Sequence, residues 1–172
     1  NADSMQIFKE IKILTARPSS KDRSSIKHHL YGFLSVKKNF SVGEWLKKCL
    51  QKISETKKRK KIPIIVGGTG LYFKSLVDGL AKIPNISRKH RDKARKLQKK
   101  IGQKNFYKKL IKLDPLCKNY IDINDKNRSI RAYEVYIQTN KSLYTWFKDT
   151  KIHYQNKDFE KIFIDIPRDE VV

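Results

Sequence analysis

The sequence predicts an α/β fold, a parallel-sheet core interrupted by an all-helical insertion, and three observations lead there. The apolar run Ile62-Pro63-Ile64-Ile65-Val66 ends in Gly67-Gly68-Thr69-Gly70, and a helical pattern starts at Leu71. That is the signature of a buried strand, a tight turn and a helix N-terminus able to face an anion or polar ligand. Helical patterning stands on both sides of the run, the order expected of a parallel sheet with flanking helices. After Pro84 the composition shifts to a dense series of Lys and Arg, and it returns to a strand-like run at Phe163–Ile166.

The elements follow in order. Asn1 to Phe8 reads as a strand end and a turn, and Leu14 to Asn39 as irregular, polar chain. Ser41 can cap the next helix, with Glu44 at capping-box spacing. Leu46, Cys49, Leu50 and Ile53 recur at i, i+3, i+4 and i+7, one apolar helical face. Lys57 to Lys61 close that helix with positive charge, favourable at a C-terminus. The strand Ile62–Val66 and a helix from about Leu71 to Val77 come next. Ala94, Leu97 and Ile101, then Phe106, Tyr107, Leu110 and Ile111, mark two basic amphipathic helices on either side of Gly102. Asp114-Pro115 breaks the pattern, and Asn124-Asp125 offers a cap for a helix of about Asn127 to Thr139. Ile130, Tyr133 and Ile137 are its expected buried stripe. The expected organisation is residues 1–84 and 148–172 as α/β core, incomplete at both ends, with residues 85–147 inserted.

Charge narrows the function classes. The 172 residues carry 40 Lys and Arg against 17 Asp and Glu, a formal net charge of +23. An AT-rich genome would raise Lys, but it would raise Glu too, and Glu is scarce. The imbalance therefore points to a polyanionic partner, nucleic acid before an anionic membrane surface. No apolar run approaches the ~20 residues that span a bilayer. Cys49 and Cys117 are too few for a disulfide framework or zinc site, and free thiols in the cytoplasm are the expectation. His28-His29 has no acidic or Cys cluster at metal-ligand spacing, which favours a packing or hydrogen-bonding role. Arg128 and Arg131 share a helix face. They can grip phosphates or pair with acids such as Glu134, and the spacing does not choose. Asp3 at a strand end suits a base as well as a helix cap.

Several separated segments resemble one family. Asp3-Ser4-Met5-Gln6 resembles its Asp-Ser-x-Gln signature, and Thr15-Ala16-Arg17-Pro18 its Thr-Ala-Lys-Pro segment. His28-His29-Leu30, the glycine turn from Val66 to Phe73, Gly79-Leu80 and Pro84 follow in its order. Asp125-x-x-Arg128-x-x-Arg131-Ala132-x-Glu134-Val135 is similar to its Asp-x-x-Arg-x-x-Arg-Ala-x-Glu-Val helix. The family is tRNA dimethylallyltransferase, and the resemblance runs from Asp3 to about Arg168.

The resemblance implies a P-loop NTPase-like core and an insertion that holds a tRNA anticodon stem-loop. It also implies transfer of a dimethylallyl group from dimethylallyl diphosphate to N6 of the adenosine 3′ to the anticodon. By family position Asp3 would be the base, because the exocyclic amine is a weak nucleophile and must shed a proton as the C–N bond forms. Thr69 would act beside it on the flipped-out adenine, lined by Ser4, Met5 and Gln6. Arg91 and the stretch Asn127, Arg128, Ser129, Ile130 and Arg131 match family RNA contacts. Arg168 aligns with an arginine expected at the diphosphate, and Mg²⁺ would accompany that diphosphate. No protein metal ligands are expected, and a monomer is.

Two departures stand out. The family's Gly-x-Thr-x-x-Gly-Lys-Ser/Thr loop, expected upstream of Asp3, is not among these residues, whose first glycine is Gly32. Tyr31-Gly32 replaces the usual Ile-Asp. The chain by itself is therefore expected to be inactive or nearly so, the alternative being a non-catalytic, basic RNA-binding remnant. A small-molecule kinase would explain an α/β core but neither the charge nor the Asp125–Val135 pattern.

Overall fold

The computed structural model describes residues 1–170, without the side chain of Arg168. The chain divides into two compact units, Asn1–Gly79 with Ile152–Val172, and Leu80–Lys151.

The first unit holds helices α1 (Ser20–Ser25), α2 (Val42–Lys58) and α3 (Gly70–Val77). Helix α2 begins where the capping box was expected: Ser41 Oγ accepts from Glu44 N, and the Glu44 carboxylate accepts from Ser41 N at 2.8 Å. Its buried face is Trp45, Leu46, Cys49 and Ile53. Trp45 stacks on Tyr72 of α3 with centroids 4.3 Å apart and donates its indole N–H to Asn1 O at 2.9 Å. One aromatic pair thus joins α2, α3 and the start of the chain.

The expected parallel-sheet, P-loop-like core is not formed. Among the described residues the β pairing consists of two isolated bridges, Phe8 with Leu34 and Leu80 with Lys151. Helical turns account for about half of the chain. The reason is visible in the two strand-like runs. Ile64 is 81% exposed and Phe163 is 88% exposed, so neither run is covered on both faces, although Pro63 and Ile65 are half-buried. The backbone of Ile62–Val66 makes one bond to a distant segment, Ala2 N to Val66 O at 2.7 Å, among the described residues. An apolar run becomes a strand only when a neighbour satisfies its N–H and C=O groups.

The second unit is helical. Helix α4 (Arg88–Leu113) is capped by Ser87 and packs mainly on α5 (Lys126–Thr139), with α6 (Leu143–Lys148) beside α5. The expected break at Gly102 is present, with φ 75° and ψ 164°, which a residue without Cβ adopts freely. Gln103 secures the far side by donating to Ile123 O at 2.8 Å and to Ser129 Oγ at 3.2 Å. Asp125 caps α5 through Oδ1, 2.9 Å from Arg128 N. The core contains Phe106, Leu110, Cys117, Ala132, Tyr133, Val135 and Leu143, with Phe106 and Tyr133 rings 5.0 Å apart. Ile130 and Ile137 sit at its margin. No described helix is long and apolar enough to cross a membrane.

Two outcomes follow. Phe106→Ala, which empties the centre of the α4–α5 contact, costs about 3–5 kcal/mol in urea unfolding; a loss below about 1 kcal/mol would contradict this packing. Burial pushes the Cys49 thiol up to about 11. The folded state then favours the protonated thiol, while the unfolded chain ionises near the usual ~8.5. This contribution is intact below pH ~8.5 and is lost as pH rises towards about 11. A Cys49→Ala variant should show a shallower loss of stability over that interval than the wild type.

Candidate functional site

The glycine turn and the start of the chain are clasped together in the first unit. Ala2 N donates to Val66 O at 2.7 Å, and Thr69 N donates to Ala2 O at 3.1 Å. Gly67 lies between these bonds, and a Cβ there would stand 2.2 Å from Ala2 C. This glycine is a packing requirement. Gly68 and Gly70 are different: a Cβ at either meets nothing within 4 Å, and neither has positive φ. The fold makes no demand for glycine at these two positions, and they border open space at the N-terminus of α3.

Thr69 precedes α3, yet its hydroxyl does not cap that helix. It accepts from Ser4 N at 2.9 Å and donates to Ser4 Oγ at 3.2 Å. Asp3 is therefore held next to the turn. Its Oδ1 accepts from Met5 N at 2.7 Å and Gln6 N at 3.3 Å, closing a local turn. Its Oδ2 has no hydrogen-bond partner among the described residues. One oxygen holds the backbone and the other stays open; no helix begins at Asp3, so the helix-cap alternative is not realised. Gln6 is turned away from Asp3, its amide donating to Thr15 O at 2.9 Å. Met5 is exposed.

Two residues of this site escaped the sequence reading. The Tyr31 and Tyr72 hydroxyls are both pushed up, first by burial and then by the negative charge of Asp3. Each ring thus lies within electrostatic reach of the carboxylate. Tyr72 sits in the glycine-turn motif and Tyr31 at a family departure, so the signal was present but not its spatial meaning. Gly32 allows a third approach, because a Cβ there would overlap the Arg17 guanidinium, whose Nη1 donates to Phe8 O at 3.0 Å.

The remaining candidates, Arg168 apart, belong to the second unit. Arg91 lies in the first turn of α4, and its Nε is buried without a hydrogen-bond partner among the described residues. At the start of α5, Asn127 and Arg128 are exposed, and Arg128 approaches Asp125 at 3.5 Å. Ser129 is turned inward to Gln103, and Ile130 packs at the core margin. Arg131 pairs with Glu134 at 2.7 Å, with the Glu134 side chain 8% exposed. The choice that spacing left open is thus made towards the acid for Arg131, while its own side chain remains partly in solvent. Arg168 has its side chain outside the described residues.

The implied Mg²⁺ finds no cage of its own. Among the described residues no three His, Cys, Asp or Glu side chains converge, and Mg²⁺ demands near-octahedral oxygen ligation.

The IPP transferase family model matches residues 6–172. The chain belongs to the IPP transferase family. It is 55% identical over all 172 residues to a tRNA dimethylallyltransferase of Pelagibacter ubique, covering 55% of that protein. It is 50% identical over 146 residues to a tRNA dimethylallyltransferase of Rickettsia massiliae, covering 85% of this chain and 40% of that protein. The chain therefore spans about half the length of the curated relatives it matches. Among solved structures it resembles a eukaryotic dimethylallyltransferase acting on tRNA, with TM-score 0.73 and 29% identity over 90% of this chain and 39% of that one. The family match begins at residue 6, just after Asp3, and includes the Gly67–Gly70 turn.

The turn separates packing from function by substitution. Gly67→Ala should cost about 1–3 kcal/mol, because backbone must move. Gly68→Ala should cost less than about 1 kcal/mol, and Gly70→Ala should be neutral or slightly stabilising at a helix start. Equal losses at all three positions in urea unfolding would contradict the clasp.

Proposed function

We propose that this chain carries the adenosine-binding and proton-accepting part of a tRNA dimethylallyltransferase, with tRNA and dimethylallyl diphosphate as substrates. The supporting observation is the Thr69 hydroxyl bonded to Ser4 N, which fixes Asp3, with one carboxylate oxygen open, beside two glycines that face open space. In this reading the N6 lone pair of the adenosine forms a bond to C1 of the dimethylallyl group. The C–O bond to the diphosphate breaks, and the diphosphate departs with the electron pair. Asp3 Oδ2 accepts the proton that N6 loses. Ser4 and Thr69 fix the position of that carboxylate, whose charge reaches the Tyr31 and Tyr72 hydroxyls. Arg91, Asn127 and Arg128 supply contacts to the RNA, mostly to phosphates, and Arg131, paired with Glu134 but partly in solvent, lies on the same helix as the last two. By its family position Arg168 is assigned to the diphosphate, which would bring Mg²⁺ with it. The protein acts as a cytoplasmic monomer.

A second reading applies to the 172 residues taken by themselves. They contain no Gly-x-x-x-x-Gly-Lys-Ser/Thr loop and carry a net charge of +23. Stabilisation of a leaving diphosphate is then weak while attraction to RNA is strong. These residues alone should bind an anticodon stem-loop and transfer little.

The test is mass spectrometry of an anticodon stem-loop RNA after incubation with dimethylallyl diphosphate and Mg²⁺. The chain is assayed alone and spliced into the longer Pelagibacter relative. The spliced enzyme should add one dimethylallyl group, and Asp3→Asn within it should lower the rate by ~10²–10⁴. Undiminished transfer by Asp3→Asn would remove Asp3 from its role.

A further inference from the structure

We infer that the aromatic stack of Tyr120, Tyr144 and Phe147 in the second unit is a platform for an unpaired RNA base, an inference that rests on the RNA-binding reading above. Tyr120 ends the 3₁₀ turn Pro115–Asn119, and Tyr144 and Phe147 lie on α6. The Tyr120 and Tyr144 rings stack with centroids 4.2 Å apart and planes 16° from parallel. Phe147 meets Tyr144 edge-on at 5.7 Å. Tyr120 is nevertheless 55% exposed and Phe147 47% exposed. With Tyr144 covering one face of Tyr120, the opposite face is offered to solvent.

The platform is held rigid from beneath. Tyr144 packs against the core of the unit, and its backbone N–H is taken by Ser142 Oγ at 3.2 Å. Tyr120 N donates to Cys117 O at 3.1 Å, and the Cys117 thiol donates to the buried Asp114 carboxylate at 3.1 Å. Little ordering is therefore left to be done when a ligand stacks.

The surroundings select the ligand. Arg128 is within electrostatic reach of the Tyr144 hydroxyl, as are Cys117, Asp125 and Asp114, and Arg128 approaches Asp125 at 3.5 Å. Lys118 and Lys148 are exposed and neighbour Tyr120 and Phe147 in sequence. Flat exposed rings on segments that also carry exposed Lys118, Arg128 and Lys148 match a base with its flanking phosphates. An apolar protein segment would find only three rings to cover among charged and polar positions. Every base has a π-face, so the platform favours single-stranded RNA without reading its sequence.

The test measures binding of the 172-residue chain to a fluorescein-labelled single-stranded RNA heptamer and to a blunt RNA duplex by anisotropy, over a range of salt. Tyr120→Ala should weaken heptamer binding by ~10-fold and duplex binding by less than about twofold. Tyr120→Phe should bind as the wild type, Phe147→Ala should fall between them, and the salt slope should stay unchanged because phosphate contacts remain. Wild-type heptamer affinity in Tyr120→Ala would overturn the platform and leave the stack as a surface for a protein partner. Equal weakening on heptamer and duplex would also overturn it, as a loss of fold or charge. Failure of the wild type to bind either RNA would overturn the RNA-binding reading along with it.

Discussion

The bond between the Thr69 hydroxyl and the backbone of Ser4 holds the candidate site together, because it joins segments 65 residues apart in sequence. Neither segment organises the site alone. The Asp3 turn is a local loop, and α3 is a short helix whose preceding residue gives up its capping role. A Thr at this position normally spends its oxygen on the helix. Here the oxygen is spent on a distant N–H, and Gly67 must be glycine so that the two backbones can approach. Position of the carboxylate, shape of the turn and openness at Gly68 and Gly70 all descend from that contact.

The missing sheet shows what an apolar run can and cannot say. Ile62–Val66 and Phe163–Ile166 have the composition of buried parallel strands, and neither forms a strand. Burial requires neighbours on both faces, and pairing requires neighbours on both edges. Composition records a readiness for both and supplies neither. The same residues stand exposed here because the helices of the first unit pack on one another, through Trp45 and Tyr72, and leave those runs uncovered.

Local features were legible and non-local ones were not. The Ser41–Glu44 box, the Asp125 cap and the Gly102 break each depend on a few adjacent residues, so spacing alone revealed them. The buried face of α2 was read from its period, although Trp45, its largest member, was not. Its burial depends on Tyr72, 27 positions away in the chain. Tyr31, Tyr72 and Arg17 reach the surroundings of Asp3 and Gly32 only through folding. For Arg128 and Arg131, sequence left phosphate and carboxylate balanced. Geometry separates them: Arg131 has a nearly buried partner, and Arg128 has an exposed neighbour that already serves as a cap.

That separation bears on how the excess charge is managed. Five of the six ion pairs described join residues three or four apart on one stretch of chain. The exposed ones among them, all but Arg131–Glu134, contribute little, about 0–1 kcal/mol each. They leave most of the 40 Lys and Arg side chains facing water and one another. Self-repulsion of that size lowers the stability of a compact chain, and a dense anion relieves it by exchanging for the small counterions at each contact. Charge alone would attract any polyanion with little discrimination. Discrimination needs groups that interact only with particular parts of the anion. The open Asp3 carboxylate suits an exocyclic amine, and flat exposed rings suit unstacked bases. In the proposed function the basic surface of this chain would supply attraction, and its few uncharged or oppositely charged exposed groups the selectivity.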